Sequence, residues 1–573
     1  MHIRRPPRRL YGLALAVLLI AGCGRAADAP SSRAETQSAS LPKTMTIALD
    51  AEPNLLFTSM GSISGMVSEL KFAYHQHLVN YDDRGALHPM LAAELPSTTN
   101  GTWVVRPDGS METTYRLRQD VLWHDGAQLT ARDFVFSWTV TRDADIPMSN
   151  RSTATAIGAI TTPDDFTLVF EWPRTNPLAS AIVDDDLGPL PMHLLDATYR
   201  TDKEQFQQLP YWTREFVGVG PFRVSEWEPA SHMILKAFDG FYRGRAKVDT
   251  LVVRFIPNGD AIVATLLAGS ADGALRGMLE LNQALVVKNE WERSGKRPVF
   301  ITQATNWRVL SVQFRPEFAS PREIFDPRLR SALLYAIDRG AMVDAVLAGQ
   351  SQVSETFLTP DDVKWDWVQD VVVRRPYEPQ RAQALLTEIG WRAGPDGTLR
   401  DAAGERAVIH HWAGGDQQGV TEGTIVADYW KAIGVTVERV ILTEGQTRDN
   451  RTRVSFPTIS TYSPPLRIRN ILTAFEGEAC AAESNRWTGS NRSCYQSAAA
   501  DRAIAGIGVA IDTDEQRRFY RDFVRVLSED LPVLPLYYNV TATIFRDGVI
   551  GIRGDTQPRT SPTWNAWEWD LAG

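Results

Sequence analysis

Histidine beside aspartate and paired histidines are the arrangements in this sequence that could support catalysis or metal binding. Trp123-His124-Asp125-Gly126 places an imidazole next to a carboxylate, but adjacent side chains rarely share a face, and Asp-Gly is typical of a turn. His410 and His411 are also neighbours, and successive side chains on a strand point to opposite faces. The sequence contains neither the G-x-S-x-G nor the H-E-x-x-H motif of hydrolases. We therefore expect no catalytic residue, no metal site and no cofactor.

The N-terminal residues have the features of an export signal. An arginine-rich head, residues 1–9, precedes an apolar run of about a dozen residues, shorter than the roughly 20 that a spanning helix requires. The run ends in Ala21-Gly22 before Cys23, which resembles a bacterial lipobox. This pattern predicts a signal peptide over residues 1–22 and a diacylated Cys23, whereas the alternative is an ordinary cleavage site with a chance cysteine. We expect an extracytoplasmic protein, anchored by lipid at the periplasmic side or the outer surface of the membrane.

Length and charge limit the remaining possibilities. Residues 23–43 are rich in small, polar and charged residues without an apolar period, which predicts a flexible tether. The body beyond it has about 530 residues, more than a single core accommodates, and this predicts two or more lobes. The formal net charge of −9 argues against a nucleic-acid partner, which requires a basic surface.

The segment of residues 215–274 has the most informative pattern of elements. Gly218-Val-Gly-Pro221 predicts a chain reversal, because glycine permits positive φ values and proline favours turns. Residues 222–228 and 233–238 indicate two short strands, and residues 251–256 indicate a third. This segment predicts a mixed α/β structure.

The order of these elements resembles a known family. The segment contains G-x-G-P-[FY], a strand ending in Trp, F-Y-x-G, a strand ending in F-I-P, and a helix closing on L-x-A-G-x-x-D-G. It is similar to the extracytoplasmic solute-binding proteins, family 5, of oligopeptide and dipeptide ABC importers. Further matches occur at residues 114–137, 325–343 and 377–391, so the resemblance covers nearly the whole mature chain. The matching residues of the first segment are Gly218, Gly220, Pro221, Phe222, Trp227, Phe241, Tyr242, Gly244, Asp249, Phe255, Pro257, Leu267, Ala268, Gly269, Asp272 and Gly273.

The resemblance implies an α/β, two-lobed periplasmic-binding-protein-like fold of type II, cluster C, with an extra small β-rich lobe. Lobe I would comprise residues 44–80, 197–305 and 535–573. Lobe II would comprise residues 306–534, and the small inserted lobe residues 81–196.

One segment departs from the family pattern. Residues 454–472 correspond to the region where peptide-binding relatives present an aspartate to the α-ammonium of the peptide, and here they contain no carboxylate. Leaving a buried charge without its partner costs about 3–5 kcal/mol. Either another lobe supplies the acid, or the ligand is not a free-amine peptide. Arg467 and Arg469 raise the hypothesis of a pocket for a neutral or anionic group, and the alternative is a solvated loop.

Other candidate ligand-binding residues are predicted from the segments in which they lie. Thr58 and Ser59 belong to the polar segment that lines the crevice in the family, although helix capping would explain them equally well. Four aromatic residues lie in segments that could also face the crevice: Trp307, Trp412, Tyr462 and Trp487. A sequence alone does not distinguish such residues from aromatic residues that pack in the core.

A disulfide is expected between Cys480 and Cys494. Two cysteines in an exported chain suggest this pairing, and dipeptide-binding relatives carry a similar pair around an R-W element, here Arg486-Trp487. A loop of this size gains about 3 kcal/mol of stability from a disulfide.

The resemblance implies a function. The chain would be the lipid-anchored component of an ABC importer that captures a peptide or peptide-like solute between closing lobes and delivers it to the permease. The alternatives are a non-transporting binding or sensor lipoprotein of the same fold, and an importer component for a neutral or anionic non-peptide ligand. The expected partners are the ligand, the permease subunits and the membrane, and we expect a monomer.

Overall fold

The computed structural model describes residues 41–57, 59–60, 65–183, 187–554 and 561–572. The predicted signal peptide, Cys23, Thr58 and the tether as far as residue 40 lie outside the described residues. Residues 42–573 constitute one unit. None of the helices in the described part of the chain combines the length and the hydrophobicity needed to cross a bilayer.

Groups of strands and groups of helices follow one another along the chain. The strands are β1 (Thr44–Leu49), β2 (Val79–Tyr81), β3 (Leu87–Pro89), β4 (Trp103–Val105), β5 (Met111–Arg116), β6 (Ala159–Asp164), β7 (Thr167–Trp172), β8 (Phe222–Glu228), β9 (His232–Ala237), β10 (Thr250–Phe255), β11 (Gly273–Ala274), β12 (Val299–Val312), β13 (Arg392–Ala393), β14 (Leu399–Arg400), β15 (Val408–Gly414), β16 (Thr436–Leu442), β17 (Ile459–Tyr462), β18 (Val533–Phe545), β19 (Val549–Ile550) and β20 (Asp570–Leu571). The α-helices are α1 (Gly65–Tyr74), α2 (Ala131–Arg142), α3 (Ser152–Ala156), α4 (Met192–Thr201), α5 (Lys203–Gln207), α6 (Gly259–Leu267), α7 (Leu281–Arg293), α8 (Pro327–Tyr335), α9 (Arg339–Leu347), α10 (Trp365–Val368), α11 (Pro379–Glu388), α12 (Gln417–Ala432), α13 (Glu444–Arg448), α14 (Ile468–Phe475), α15 (Ala498–Ile507) and α16 (Thr513–Asp530).

A ten-stranded mixed sheet runs through the molecule in the order β16-β15-β17-β12-β18-β11-β1-β10-β9-β8. β1 pairs in parallel with β10 and β11 at one end, and β15 pairs in parallel with β16 and β17 at the other. The long strands β12 and β18 are antiparallel and connect the two ends. A separate four-stranded antiparallel sheet, β4-β5-β7-β6, lies within residues 103–172.

The pattern of burial explains why these segments form strands and helices. The consecutive residues Ile47, Ala48 and Leu49 of β1 are apolar and fully buried, as expected where a strand is covered on both sides. α8 buries Leu329, Ala332 and Leu333, whose spacing of three and four places them on one helical face. These features confirm the predicted α/β class.

The physical reason for the Gly218-Val-Gly-Pro221 motif differs from the predicted one. Neither glycine has a positive φ value. Instead, a Cβ atom on Gly218 would lie 2.1 Å from the Tyr74 carbonyl oxygen, and one on Gly220 would lie 2.3 Å from the Tyr74 carbonyl carbon. The motif therefore allows this segment to pack against the backbone at the end of α1.

His124 holds the same glycine segment in place. Its Nδ1 atom accepts a hydrogen bond from the Gly218 amide at 3.1 Å, and its Nε2 atom donates to the Gly220 carbonyl at 3.0 Å. Burial lowers the pKa of this imidazole to about 4, so the ring is neutral at pH 7. Asp125, its sequence neighbour, lies instead against His193, with 2.7 Å between Oδ2 and Nε2. His124 and Asp125 therefore make contacts with different residues.

Candidate ligand-binding site

Two cavities meet at Arg467, which lines both. The first, here called the strand-edge cavity, has a volume of about 550 Å³ and is lined by Asp50, Glu69, Arg276, Gly277, Met278, Thr305, Asn306, Pro465, Arg467 and Thr541. The second, here called the inserted-lobe cavity, has a volume of about 560 Å³. Its lining residues are Asn150, Ser152, Thr153, Thr155, Ala156, Trp172, Pro173, Arg174, Thr175, Asn176, Leu178, Ile182, Arg467, Arg469 and Asn470. Both volumes lie in the range of small-molecule sites, roughly 300–1,000 Å³.

The parallel strands position one wall of the strand-edge cavity. Asp50 follows the last residue of β1, and Arg276 lies two residues beyond the end of β11. Because β1 and β11 are parallel, their carboxyl ends meet at one edge of the sheet. Ligands of α/β proteins commonly bind outside this edge.

β12 and the segment before α14 form another part of the wall of the strand-edge cavity. Thr305 and Asn306 belong to β12, next to an irregularity in its pairing with β18. The Thr305 carbonyl accepts a hydrogen bond from the Leu466 amide at 3.0 Å, and the Asn306 side chain donates to the Ser463 carbonyl at 2.9 Å. These bonds attach the chain to β12 immediately before Arg467, and therefore place Arg467 beside the cavity.

Two of the charges in the strand-edge cavity compensate each other. Arg276 Nη2 lies 2.6 Å from Glu69 Oε1, and both side chains are almost completely buried. Arg276 also donates a hydrogen bond to the Gln303 side chain. The ion pair balances the two charges, and the additional hydrogen bond supports the Arg276 side of it.

Asp50 differs from Glu69 in this respect. Its Oδ1 atom is buried, and no group among the described residues donates a hydrogen bond to it. Burial is the largest effect on this carboxyl group and raises its pKa, while its own backbone amide acts in the opposite direction. The hydroxyl of Thr541, on β18, is also buried without a hydrogen-bond partner in the described part of the chain. Both residues line the same cavity.

The inserted-lobe cavity has a basic lining. Arg174, Arg467 and Arg469 line it, together with the amide side chains of Asn150 and Asn470 and a further asparagine. None of the described residues that line this cavity is acidic. Its chemistry therefore suits an anionic or hydrogen-bond-accepting group.

The two arginines proposed from the sequence are the candidates that line these cavities. Arg467 is the N-cap residue of α14 and lines both cavities, and Arg469 lines the inserted-lobe cavity. Ser59 is buried, and its carbonyl accepts a hydrogen bond from the Ser149 amide at 2.9 Å, but it lines neither cavity.

The four candidate aromatic residues occupy other positions. Trp307 is 2% exposed, packs in the core beside Phe475 and donates a hydrogen bond to the Ser354 hydroxyl at 3.0 Å. Tyr462 stacks under the Arg492 guanidinium, 4.5 Å from its ring centre. Trp412 on β15 and Trp487 in the loop between the cysteines are partly buried. None of the four aromatic residues lines either cavity, so we do not include them in the proposed site.

Cys480 and Cys494 form a disulfide, with their Cα atoms 4.7 Å apart. The loop between them contains Trp487, whose φ value is positive. The Arg451 guanidinium lies 5.8 Å from the Trp487 ring centre. The disulfide therefore closes a local loop beyond α14.

Sequence reasoning did not identify Asp50, Thr541, Glu69 or Arg276. One signal was available, because Asp50 directly follows a buried strand, where functional side chains of α/β sheets commonly lie. Thr541 offered no comparable signal, since a threonine within a strand is ordinary.

The fold is similar to that of two-lobed solute-binding proteins of known structure. Residues 87–463 match the model of the bacterial extracellular solute-binding proteins, family 5 (middle region). The chain therefore belongs to this family.

Individual relatives agree with this membership. The chain is 23% identical over 541 residues to the oligopeptide-binding protein AppA of Bacillus subtilis, and the alignment covers 92% of each protein. The structure of AppA in complex with a nonapeptide is similar with a TM-score of 0.62 and 20% identity, over 93% of this chain and all of that one. NikZ of Campylobacter jejuni in complex with Ni(L-His) is similar with a TM-score of 0.66 and 22% identity, over 92% of this chain and all of that one.

Proposed function

We propose that this protein is the lipid-anchored, extracytoplasmic solute-binding component of an ABC importer, and that it captures a peptide or peptide-like solute between its lobes. The observation that carries the proposal is the pair of cavities that meet at Arg467, beside the paired strands β12 and β18 that connect the two ends of the sheet. Membership of family 5 and the oligopeptide ligand in the name of the Bacillus relative support it.

The ligand is held without chemical conversion. Lobe closure removes the ligand from water, and the backbone and polar side chains of the cavity walls replace its hydrogen bonds. Arg467 and Arg469 take an anionic or neutral polar part of the ligand. The closed form is then the one that the permease subunits recognise, and diacylation of Cys23 keeps the protein at the membrane.

Mass spectrometry of co-purified ligands tests the proposal. The full-length chain, expressed with its own N-terminal segment, is examined under native and then denaturing conditions. We expect the denaturing spectrum to contain a series of released peptide masses. A single non-peptide species would overturn the peptide assignment and would favour an importer component for another solute, which the arginine-lined cavity also accommodates.

The Arg467→Gln variant provides the matched comparison for the site. We expect it to retain its fold and to co-purify with much less ligand, because Arg467 lines both cavities. The control is Arg214→Gln, since Arg214 is exposed and lies outside both cavities. Equal ligand content in the two variants would remove Arg467 from the site.

A further inference from the structure

Asp50 lines the strand-edge cavity with a buried carboxylate oxygen, Oδ1, that receives no hydrogen bond from the described residues. The Glu69 carboxylate, in contrast, forms an ion pair with Arg276. A carboxylate removed from water without a donor is unstable, so such a group normally titrates or binds a cation. The position of Asp50 at the carboxyl edge of the parallel strands places this charge where ligands bind.

Thr541 provides a second, independent observation. Its Oγ1 atom is buried without a hydrogen-bond partner in the described part of the chain, and it lines the same cavity as Asp50. Asp50 belongs to the segment after β1, and Thr541 belongs to β18, so different elements bring the two oxygens to one cavity. The carboxylate oxygen is an acceptor, and the hydroxyl oxygen can accept as well as donate.

We infer that Asp50, with Thr541, binds an ammonium group of the ligand, and that the ligand is zwitterionic, with its anionic part among the arginines of the inserted-lobe cavity. An ammonium group offers a positive charge and three donors in a compact form, which suits a cavity that contains an unpaired carboxylate oxygen and a hydroxyl oxygen. The inference rests on the proposed function and deepens it, because it names the chemical class of the ligand and the polarity with which it binds.

The distribution of charge between the cavities supports this polarity. The acidic residues that line the site, Asp50 and Glu69, belong to the strand-edge cavity. The inserted-lobe cavity is lined by Arg174, Arg467 and Arg469 and by no acidic residue among those described. A ligand that extends past Arg467 therefore meets the Asp50 carboxylate on one side and the arginines of the inserted-lobe cavity on the other.

Residues 454–472 contain no carboxylate that could pair with an ammonium group of the ligand. In this arrangement Asp50, at the end of β1, supplies that carboxylate instead. A metal ion is a poorer occupant, because no group of three or more His, Cys, Asp or Glu side chains able to hold a metal occurs among the described residues.

Three synthetic peptide pools test the inference on the full-length chain. Each pool contains mixed sequences, from dipeptides to nonapeptides, and binding is measured by native mass spectrometry and calorimetry after removal of co-purified ligand. The first pool is free of lysine and has free N-termini, the second is the same pool with acetylated N-termini, and the third is acetylated but contains lysine. We expect the first pool to bind and the second to bind about 100-fold more weakly, the cost of leaving a buried charge unpaired.

The third pool distinguishes the source of the ammonium group. Binding of the first pool alone would identify the peptide N-terminus, and additional binding of the third would show that a lysine side chain also serves. Equal binding of the first and second pools would overturn the inference while leaving peptide binding intact. Binding of no pool would overturn the proposed function, and the inference with it.

The Asp50→Asn variant keeps the size of the side chain and removes its charge. We expect about 100-fold weaker binding of the first pool and little change in binding of the second. The matched control, Glu228→Gln, removes the charge of an exposed residue on β8 and leaves binding unchanged. Thr541→Val, which deletes one acceptor, weakens binding of the first pool by about tenfold or more. Unchanged binding of the first pool by Asp50→Asn, with unchanged thermal stability, would contradict the inference.

Discussion

Buried acidic side chains in this protein show how a carboxylate is accommodated away from water. Glu422 accepts hydrogen bonds from Arg308, with 2.8 Å between Oε2 and Nε, and Glu355 lies 2.8 Å from Arg339. Asp50 has no equivalent partner among the described residues. In the described part of the chain, the lack of an arginine partner distinguishes Asp50 from Glu422 and Glu355 and supports a role in ligand binding.

The Arg308–Glu422 pair provides a prediction at this scale. Its side chains are 10% and 1% exposed, so Glu422→Gln leaves the Arg308 charge buried without a counter-ion. We expect the free energy of unfolding to fall by about 3–5 kcal/mol, measured by urea denaturation. The control is Glu444→Gln, which breaks the exposed pair with Arg448 and has no measurable effect. Similar losses in the two variants would contradict the assignment of a buried pair.

Close backbone contacts, more than turn geometry, determine how the elements of the first half of the chain are joined. Gly218 and Gly220 pack against Tyr74 at the end of α1, and His124 hydrogen-bonds to both glycine residues. In the same way, residues 463–466 are attached to β12 by backbone hydrogen bonds, and this positions Arg467. The elements thus position side chains by direct backbone contact.

The Gly220→Ala substitution tests whether the close approach to Tyr74 is required for stability. In Gly220→Ala the new Cβ atom would lie 2.3 Å from the Tyr74 carbonyl carbon, so the segment must move away from α1. We expect a loss of about 1–3 kcal/mol, seen as a lower midpoint of thermal unfolding. Gly445→Ala is the control, because no atom lies within 4 Å of its added Cβ and alanine favours the helix α13. A midpoint unchanged in Gly220→Ala would show that the close approach is not required.

The whole molecule is organised by the two strands that connect the ends of the large sheet. β12 and β18 pair along almost their full lengths, and the pairing shifts register between Ala304 and Asn306 and again between Arg308 and Val309. Such irregularities bend a strand locally. The first lies beside Thr305 and Asn306, which line the strand-edge cavity, so the cavity adjoins the point where the sheet can bend.

Small-angle X-ray scattering tests the expected closure at this point. Addition of the free-amine peptide pool to ligand-free protein should decrease the radius of gyration, because the lobes close around the bound ligand. The Asp50→Asn variant, at the pool concentration that saturates the unchanged protein, should retain the larger value. Peptide binding without any change in the radius of gyration would contradict closure about β12 and β18.

Much of the architecture could be predicted because it depends on local pattern. The strands β1 and β12 and the apolar face of α8 all follow from spacing that a sequence displays. The glycine motif was located correctly but explained wrongly, since the contact with Tyr74 joins distant parts of the chain.

The sequence by itself determined the α/β class and the resemblance to a solute-binding family. It also identified Arg467 and Arg469 as candidate ligand-binding residues. Only the tertiary structure decided that Asp50 and Thr541 share a cavity with Arg467. The physical reason is that these residues are far apart along the chain and are brought together by strand pairing. Whether a buried acid has a partner is likewise a property of its surroundings, which one sequence does not specify.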